Sequence, residues 1–344
     1  MQPHHNFDLQ AHNTLSIPAR AEFFYEATDL ASLRLALAWA NTRQLPVTLL
    51  GGGSNVICPS HISGLVLSPA LQGRHLRREQ DQTVWVELAA GENWHQAVCW
   101  TLDQQLYGLE NLALIPGTCG AAPIQNIGAY GLELGDRLHE VTALNRHTNQ
   151  LETFSREQCD LGYRDSIFKQ ALASSHIITH ISLQLSRQPQ SLTHYPALRS
   201  ALGADVASPE AVFTAVCELR RSKLPDPATL PNCGSFFKNP LVTADDLHTL
   251  QMRHPQIPSY PASGERYKLA AAWLIEQAGW KGRDIAGVRV HAQQALVLTN
   301  PNRLGAEAIL HAATTVQRSV KKEFGIALEI EPQILGNAPT ANHG

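Results

Sequence analysis

The side chains best suited to chemistry sit in a few short clusters. Leu161-Gly-Tyr-Arg-Asp-Ser166 places a guanidinium between a phenol and a carboxylate. His194-Tyr195, Lys223, Asn232-Cys-Gly-Ser-Phe-Phe-Lys-Asn239 and Glu331 add a hydroxyl, ammonium groups, amides and a second carboxylate. The planar fork of an arginine holds a carboxylate or phosphate at two points, and a buried glutamate can be tuned into an acid. Each cluster alone also has an ordinary explanation. Tyr163-Arg164-Asp165-Ser166 can close a turn with a local ion pair, Gly234-Ser235 can end a strand, and Glu331, before Pro332, can face solvent.

Two bare stretches of backbone accompany these clusters. Ile115-Pro-Gly-Thr-Cys-Gly-Ala-Ala-Pro-Ile-Gln-Asn-Ile-Gly-Ala-Tyr-Gly131 holds four glycines and three alanines in seventeen residues, and Gly51-Gly52-Gly53-Ser54-Asn55 lies in the same half of the chain. One glycine is turn punctuation; two such loops favour an extended, phosphate-bearing ligand lying against main-chain N–H groups. The nucleotide site is of neither common kind. A Rossmann fingerprint opens a helix, but Val56 stands where its third glycine should fall and short extended segments follow. A P-loop needs Lys-Ser/Thr after its last glycine, and none is present.

The elements that must position these residues follow from periodicity. Residues 27–40 repeat apolar positions as a helix does, and Leu45-Pro-Val-Thr-Leu-Leu50 reads as a strand running into the glycine triplet. Val56-Ile-Cys58, Leu65-Val-Leu67, Thr83 to Leu88, Val141 to Leu144, Leu151 to Phe154 and His176 to Leu185 are strand-like. A helix after Gly91 carries Trp94, Ala97, Val98, Thr101 and Leu102 on one stripe. The expected fold class is α+β, with one domain over residues 17–188 in two subdomains split near 70–80, a second over 200–336, and tails at 1–16 and 337–344.

In the second domain Ser208-Pro209 is an N-cap followed by proline at the first helical position, and the helix ends in Arg220-Arg221-Ser-Lys223. Cations are favoured at a helix C-terminus, so Arg220 and Arg221 have that role or an anion-binding one. Helices are expected around 269–277 and 307–324, with Gly325 as a stop. The extended segment 327–335 puts Glu329 and Glu331 on one face, opposite Leu328 and Ile330.

A chain of 344 residues is too long for one ordinary core, and 44 % apolar with 17 % charged residues is a folded composition. A net charge of -3 argues against a nucleic-acid partner. The six scattered cysteines form no C-x-x-C pair, which fits a reducing compartment, and the sixteen histidines show no metal-ligand spacing. With no leader-like N-terminus and no apolar run of about 18 residues, a cytoplasmic protein without a membrane partner or a metal is expected.

The motifs Ile115 to Gly131, Gly51 to Asn55, Tyr163 to Ser166, Asn232-x-Gly-Ser-Phe-Phe-Lys-Asn-Pro240 and Glu331, in that assortment and across nearly the whole chain, closely resemble the UDP-N-acetylenolpyruvoylglucosamine reductase family in its longer form with a tyrosine loop. The resemblance implies a two-part FAD-binding domain of the flavin-oxidase type and a C-terminal α+β substrate domain. It implies a monomeric flavoenzyme of peptidoglycan precursor synthesis in which NADPH reduces non-covalent FAD, and the reduced flavin in turn reduces an enolpyruvyl ether of UDP-N-acetylglucosamine to UDP-N-acetylmuramate. FAD would lie on Gly51, Gly52, Gly53, Ser54 and Asn55, and on Pro116, Gly117, Gly120, Gln125, Asn126 and Gly128. Arg164 and Glu331 match the residues that stabilise the enolate, and Ser235 matches the proton donor. Tyr163, Tyr195, Lys223, Asn239, Lys268 and Gln294 match substrate contacts. Another FAD oxidoreductase on the same scaffold, or a non-catalytic nucleotide binder, would also use the glycine loops; the latter leaves Arg164, Ser235 and Glu331 without a purpose.

Overall fold

The computed structural model describes residues 1–203, 207–262 and 264–336; the expected tail at 337–344 lies outside them. A first sheet takes the strands His4–Asp8, Arg20–Ala27, His61–Pro69 and Val47–Leu49 in that spatial order. The last three run parallel, and His4–Asp8 adds antiparallel at the edge. Helix α1 (Leu30–Thr42) packs on this sheet and begins later than periodicity predicts. The strand Arg20–Ala27 takes the first residue of the expected helix, and Asp29, accepting from the Ser32 N–H at 2.6 Å, sets the start.

The chain crosses after Pro69 into a second, antiparallel sheet of Leu151–Ser155, Leu138–Asn145, His176–Ser186, Thr83–Ala89 and Arg74–Gln80. Helix α2 (Trp94–Asp103), capped by Asn93, lays Trp94, Ala97 and Val98 against Val84, Val86 and Leu88. A smaller cluster of Leu33, Ala36, Leu65 and Leu67 with Ala89, Leu144 and Ile177 joins the two sheets.

Helices α3 (Pro196–Leu202) and α4 (Pro209–Lys223) follow. Ser208 caps α4 by accepting from the Ala211 N–H at 3.2 Å, with Pro209 at the first turn, as predicted. Helix α3 is not among the expected helices, and α4 packs elsewhere than its expected domain. Leu198, Val212, Ala215 and Val216 join the core of the second sheet rather than that of the C-terminal strands. The C-terminal unit holds a sheet of Asn232–Ser235, Val297–Thr299, Val288–Val290 and Asp284–Ile285, a three-stranded sheet of Leu241–Val242, Tyr267–Leu269 and Ser259–Pro261, and helices α5 (Ala244–Arg253), α6 (Ala271–Gln277) and α7 (Ala306–Phe324). Gly325 ends α7 in the left-handed region at φ 73°, as its position predicts.

Residues 1–16 are not a tail. Leu9 and Leu15 are fully buried, the Asn232 N–H donates to the Thr14 carbonyl at 2.9 Å, and the Asn300 amide donates to the Leu15 carbonyl at 2.9 Å. The strand Gln333–Ile334 pairs parallel with Val56–Ile57, bringing the end of the described chain beside the first glycine loop. Among the described residues no helix is long and apolar enough to cross a membrane, and no cluster of three metal-ligating side chains occurs.

Candidate active site

The strand Val47–Leu49 delivers its chain into the glycine triplet, where the backbone becomes a surface. Among the described residues the N–H groups of Gly51, Gly52, Gly53, Ser54 and Asn55 donate to no protein acceptor. Successive unpaired amides make an anion-binding concavity. The loop leaves no room for side chains: a Cβ on Gly52 would lie 2.9 Å from the Gly117 Cα, and one on Gly53, at φ 62°, would lie 2.0 Å from the His12 carbonyl oxygen. The Ser54 hydroxyl donates to the Pro116 carbonyl at 3.2 Å, and the Asn55 amide donates to the Gln125 side chain. The two glycine loops are therefore one bed, bare and donor-rich at one end, which fits the diphosphate and flat ring of a flavin nucleotide.

Within that bed the roles divide. Ser54, Asn55, Pro116, Gln125 and Gly128 line an open cleft. Gly120 instead lets the loop seat against Ala90, whose Cβ would be 2.6 Å from an added methyl. The Asn126 side chain is committed to the turn: it donates to Glu133 at 2.9 Å and to the Gly162 carbonyl at 3.0 Å, and accepts from the Gly135 N–H at 2.9 Å. It supports the bed without facing the cleft.

Three distant segments close the cleft with side chains. Arg164, at φ 56°, donates to the Gly128 carbonyl at 2.8 Å and the Asn126 carbonyl at 3.4 Å, so the bed itself aims the guanidinium. Its Nε lies 3.4 Å from the Glu331 carboxylate. Glu331 is fixed by main chain: its N–H donates to the Phe236 carbonyl at 2.9 Å, next to the bridge between Phe237 and Ile330. Burial pushes its carboxyl above the ordinary carboxylate range, against the opposing pull of Arg164, Lys169 and Lys238. Ser235 ends its strand at an irregularity after Asn232 and lines the same cleft. Gly234, at φ 74°, makes that irregularity, and the buried Asn232 holds it by accepting from the Gly234 N–H at 2.9 Å.

Tyr163 and Asn239 also face the cleft, and the Asn239 N–H donates to the Tyr163 hydroxyl at 3.3 Å. The Asn239 side-chain oxygen caps α6 by accepting from the Ala271 N–H at 2.9 Å. Lys268 stands 4.6 Å over the Tyr163 ring, behind the lining. Tyr195 packs edge-on against Tyr130 at 5.4 Å and is 40 % exposed. Lys223 ends α4, outside the lining. Gln294 is also outside it; its side-chain oxygen accepts from the Leu296 N–H at 3.3 Å, which gives it a local turn to hold.

The FAD binding domain family matches residues 21–153, and the UDP-N-acetylenolpyruvoylglucosamine reductase C-terminal domain family matches residues 226–335. The UDP-N-acetylenolpyruvoylglucosamine reductase of Chromobacterium violaceum is 47 % identical over 95 % of this chain and 97 % of its own. The chain belongs to the UDP-N-acetylenolpyruvoylglucosamine reductase family. The relative of that name from Pseudomonas aeruginosa is 45 % identical over 95 % of this chain and 97 % of its own. The UDP-N-acetylenolpyruvylglucosamine reductase structure from Thermus caldophilus, 21 % identical, overlays with a TM-score of 0.67 across 97 % of this chain and 99 % of its own, and so shares the fold. The chain thus carries an FAD-binding domain followed by the family's C-terminal domain.

Two charged residues around this cleft, Lys169 and Glu133, escape a reading of the sequence, and a third, Arg220, is left there with two possible roles. Arg220 lines the cleft from α4. Lys169 donates to the Arg164 carbonyl at 3.1 Å, and Glu133, which accepts from the Asn126 side chain, is pushed up by burial against the pull of Arg164 and Lys268. Only Arg220 left a signal, as one of two cations at a helix end with a second possible role.

Proposed function

We propose that the protein reduces the enolpyruvyl ether of UDP-N-acetylglucosamine enolpyruvate to UDP-N-acetylmuramate in peptidoglycan precursor synthesis, with NADPH as the source of electrons. FAD, when bound, carries the two electrons from NADPH to the enolpyruvyl double bond. The observation that carries this reading is the convergence of Arg164, Glu331 and Ser235 on one cleft beside a bed of free amides.

The residues divide the work along the substrate. Reduction at the vinyl CH2 carbon leaves negative charge on the carbon that bears the carboxylate, delocalised as an enolate. Arg164 holds that carboxylate with its fork, and a neutral Glu331 donates a hydrogen bond to the same group; its raised pKa supports that protonation state. Ser235 hands its hydroxyl proton to the carbanion-like carbon, a step that a weak acid performs only from a fixed position. Asn239 and Lys223 bind the diphosphate, Tyr163 and Lys268 line its approach, Gln294 adds an outer contact, and Tyr195 covers the nucleotide. Gly51 to Asn55, with Pro116, Gly117, Gly120, Gln125, Asn126 and Gly128, hold FAD without a covalent link.

We divide the chain near 70 within the FAD-binding part and near 225 before the substrate domain, since α3 and α4 pack with the former. The protein acts as a cytoplasmic monomer with neither nucleic-acid nor membrane partner; its six free cysteines support the reducing compartment, and its net charge of -3 speaks against a nucleic-acid partner. The test is a flavin spectrum of the purified protein, then NADPH oxidation with and without the UDP-enolpyruvyl sugar. Oxidation that ignores the sugar, or a protein that FAD cannot colour, defeats the proposal.

A further inference from the structure

The segment that leads to Tyr195 crosses the end of the bed with little to hold it. Among the described residues, a single hydrogen bond reaches residues 189–194: the Asn111 side-chain NH2 donates to the Leu192 carbonyl at 2.8 Å. The same NH2 donates its other proton to the Tyr130 carbonyl, also at 2.8 Å. Asn111 is buried in a short helical turn, Glu110–Leu112, which Glu110 fixes by accepting from the Gly108 N–H at 2.9 Å. Tyr130 belongs to the bed, and its φ of 48°, followed by 83° at Gly131, turns the backbone beneath the segment. His194 lies so close there that a Cβ on Gly131 would come within 2.6 Å of its Nε2, and the Tyr195 ring meets the Tyr130 ring edge-on at 5.4 Å. Pro196 then begins α3, whose first turn closes where the Arg199 N–H donates to the Tyr195 carbonyl at 2.9 Å. Tyr195 is thus held between two fixed points, and one of them is a single amide.

We propose that Asn111 is a positioning residue for the reaction: its amide pins Leu192 to Tyr130 and so fixes where Tyr195 stands relative to the bed. Asn111 lies outside the lining of the cleft, so it acts through Tyr195 and not on substrate. The residue type suits the task. A primary amide offers two donor protons on one planar group, which a hydroxyl or an aliphatic side chain does not. Neither carbonyl has another donor among the described residues. Removing the amide therefore leaves two acceptors unpaired, which costs more than the net worth of the bonds themselves.

This role rests on the reading of Tyr195 as the cover of the nucleotide. Wild type, Asn111→Ala, Tyr195→Ala and the double variant are compared in FAD content, rate of flavin reduction by NADPH and KM for the UDP-enolpyruvyl sugar. Asn111→Ala should keep FAD and the reduction rate and raise KM about tenfold, as for the loss of two neutral hydrogen bonds. In the Tyr195→Ala background the same change should add less than about twofold, because residues that act through one another are not additive. An unmoved KM, an equal rise in both backgrounds, or loss of FAD from a folded Asn111→Ala protein overturns the proposal. Should Asn111→Ala not fold, one glycine inserted between Thr193 and His194 decides. It keeps both Asn111 bonds but slackens the path to Tyr195, so KM should rise by a similar factor, and an unchanged KM overturns the proposal. If Tyr195→Ala alone leaves KM unmoved, the reading of Tyr195 fails and takes the role of Asn111 with it. A wild type that oxidises NADPH regardless of the sugar removes the proposed function instead.

Discussion

The two halves of the cleft are built on opposite plans. The bed, Gly51 to Asn55 against Pro116 to Gly131, is main chain with the side chains taken away, and its donors are amides fixed by the loops themselves. The facing wall is side chain: Arg164, Ser235 and Glu331 arrive from three segments far apart in the chain. The difference predicts two kinds of failure. Damage to the bed should cost folding and cofactor together, whereas damage to the wall should leave a coloured protein that stalls part-way through turnover.

The largest effect belongs to Gly53→Ala. Its Cβ would lie 2.0 Å from the His12 carbonyl, a backbone atom that cannot swing aside, and the position has φ 62°. Strain and overpacking together should cost about 3 kcal/mol or more. Thermal unfolding and FAD content read both consequences, and a variant with full FAD and an unchanged melting temperature would break the contrast at its bed side.

Next comes Ser235→Ala, which removes the proposed acid and nothing that the fold uses. NADPH should still bleach the flavin at the wild-type rate, while reoxidation by the enolpyruvyl sugar falls by about 10²–10⁴-fold. Stopped-flow absorbance separates the two half-reactions. Normal reoxidation would move the acid elsewhere.

Glu331→Gln should slow the same half-reaction by about 10²-fold, less than the serine change because an amide still donates a hydrogen bond. The wild-type carboxyl is held above its unfolded value by burial, so it is protonated below that raised pKa and ionises as pH rises through it. The wild type should therefore lose reoxidation rate, and some stability, on the alkaline side of this ionisation. The glutamine variant should show neither loss, and a pH profile that keeps its alkaline limb assigns that limb to another group.

The contrast between bed and wall also explains what could be read from the sequence. The bed announces itself because a glycine run is visible without knowing what lies near it. Helix ends were equally legible, as Ser208-Pro209 and Gly325 show, since caps are local. The strand Arg74–Gln80 escaped because its residues are nearly all exposed and show no alternation, and His4–Asp8 escaped for the same reason at a sheet edge. Where α4 packs is a tertiary fact with no local trace, so the sequence left its Arg220 between a cation serving a helix terminus and an anion-binding residue. The raised pKa of Glu331 likewise depends on burial by segments far from it in sequence.

Lys223 is the residue on which these two explanations meet most directly, and its expected effect is the smallest. At the last position of α4 it interacts favourably with the helix dipole, worth about 0.3–1 kcal/mol, and it lies outside the cleft lining. As a diphosphate contact it should instead act when substrate arrives, through the charge on its flexible stem. Lys223→Ala should then raise the KM for the UDP-sugar about tenfold, near 1.4 kcal/mol, with flavin reduction by NADPH unchanged. Lys223→Arg should restore part of the loss, since the charge returns with altered geometry. A small fall in melting temperature with KM unmoved would leave only the helix terminus as its role, and the diphosphate would then depend on Asn239 and the wall's remaining donors.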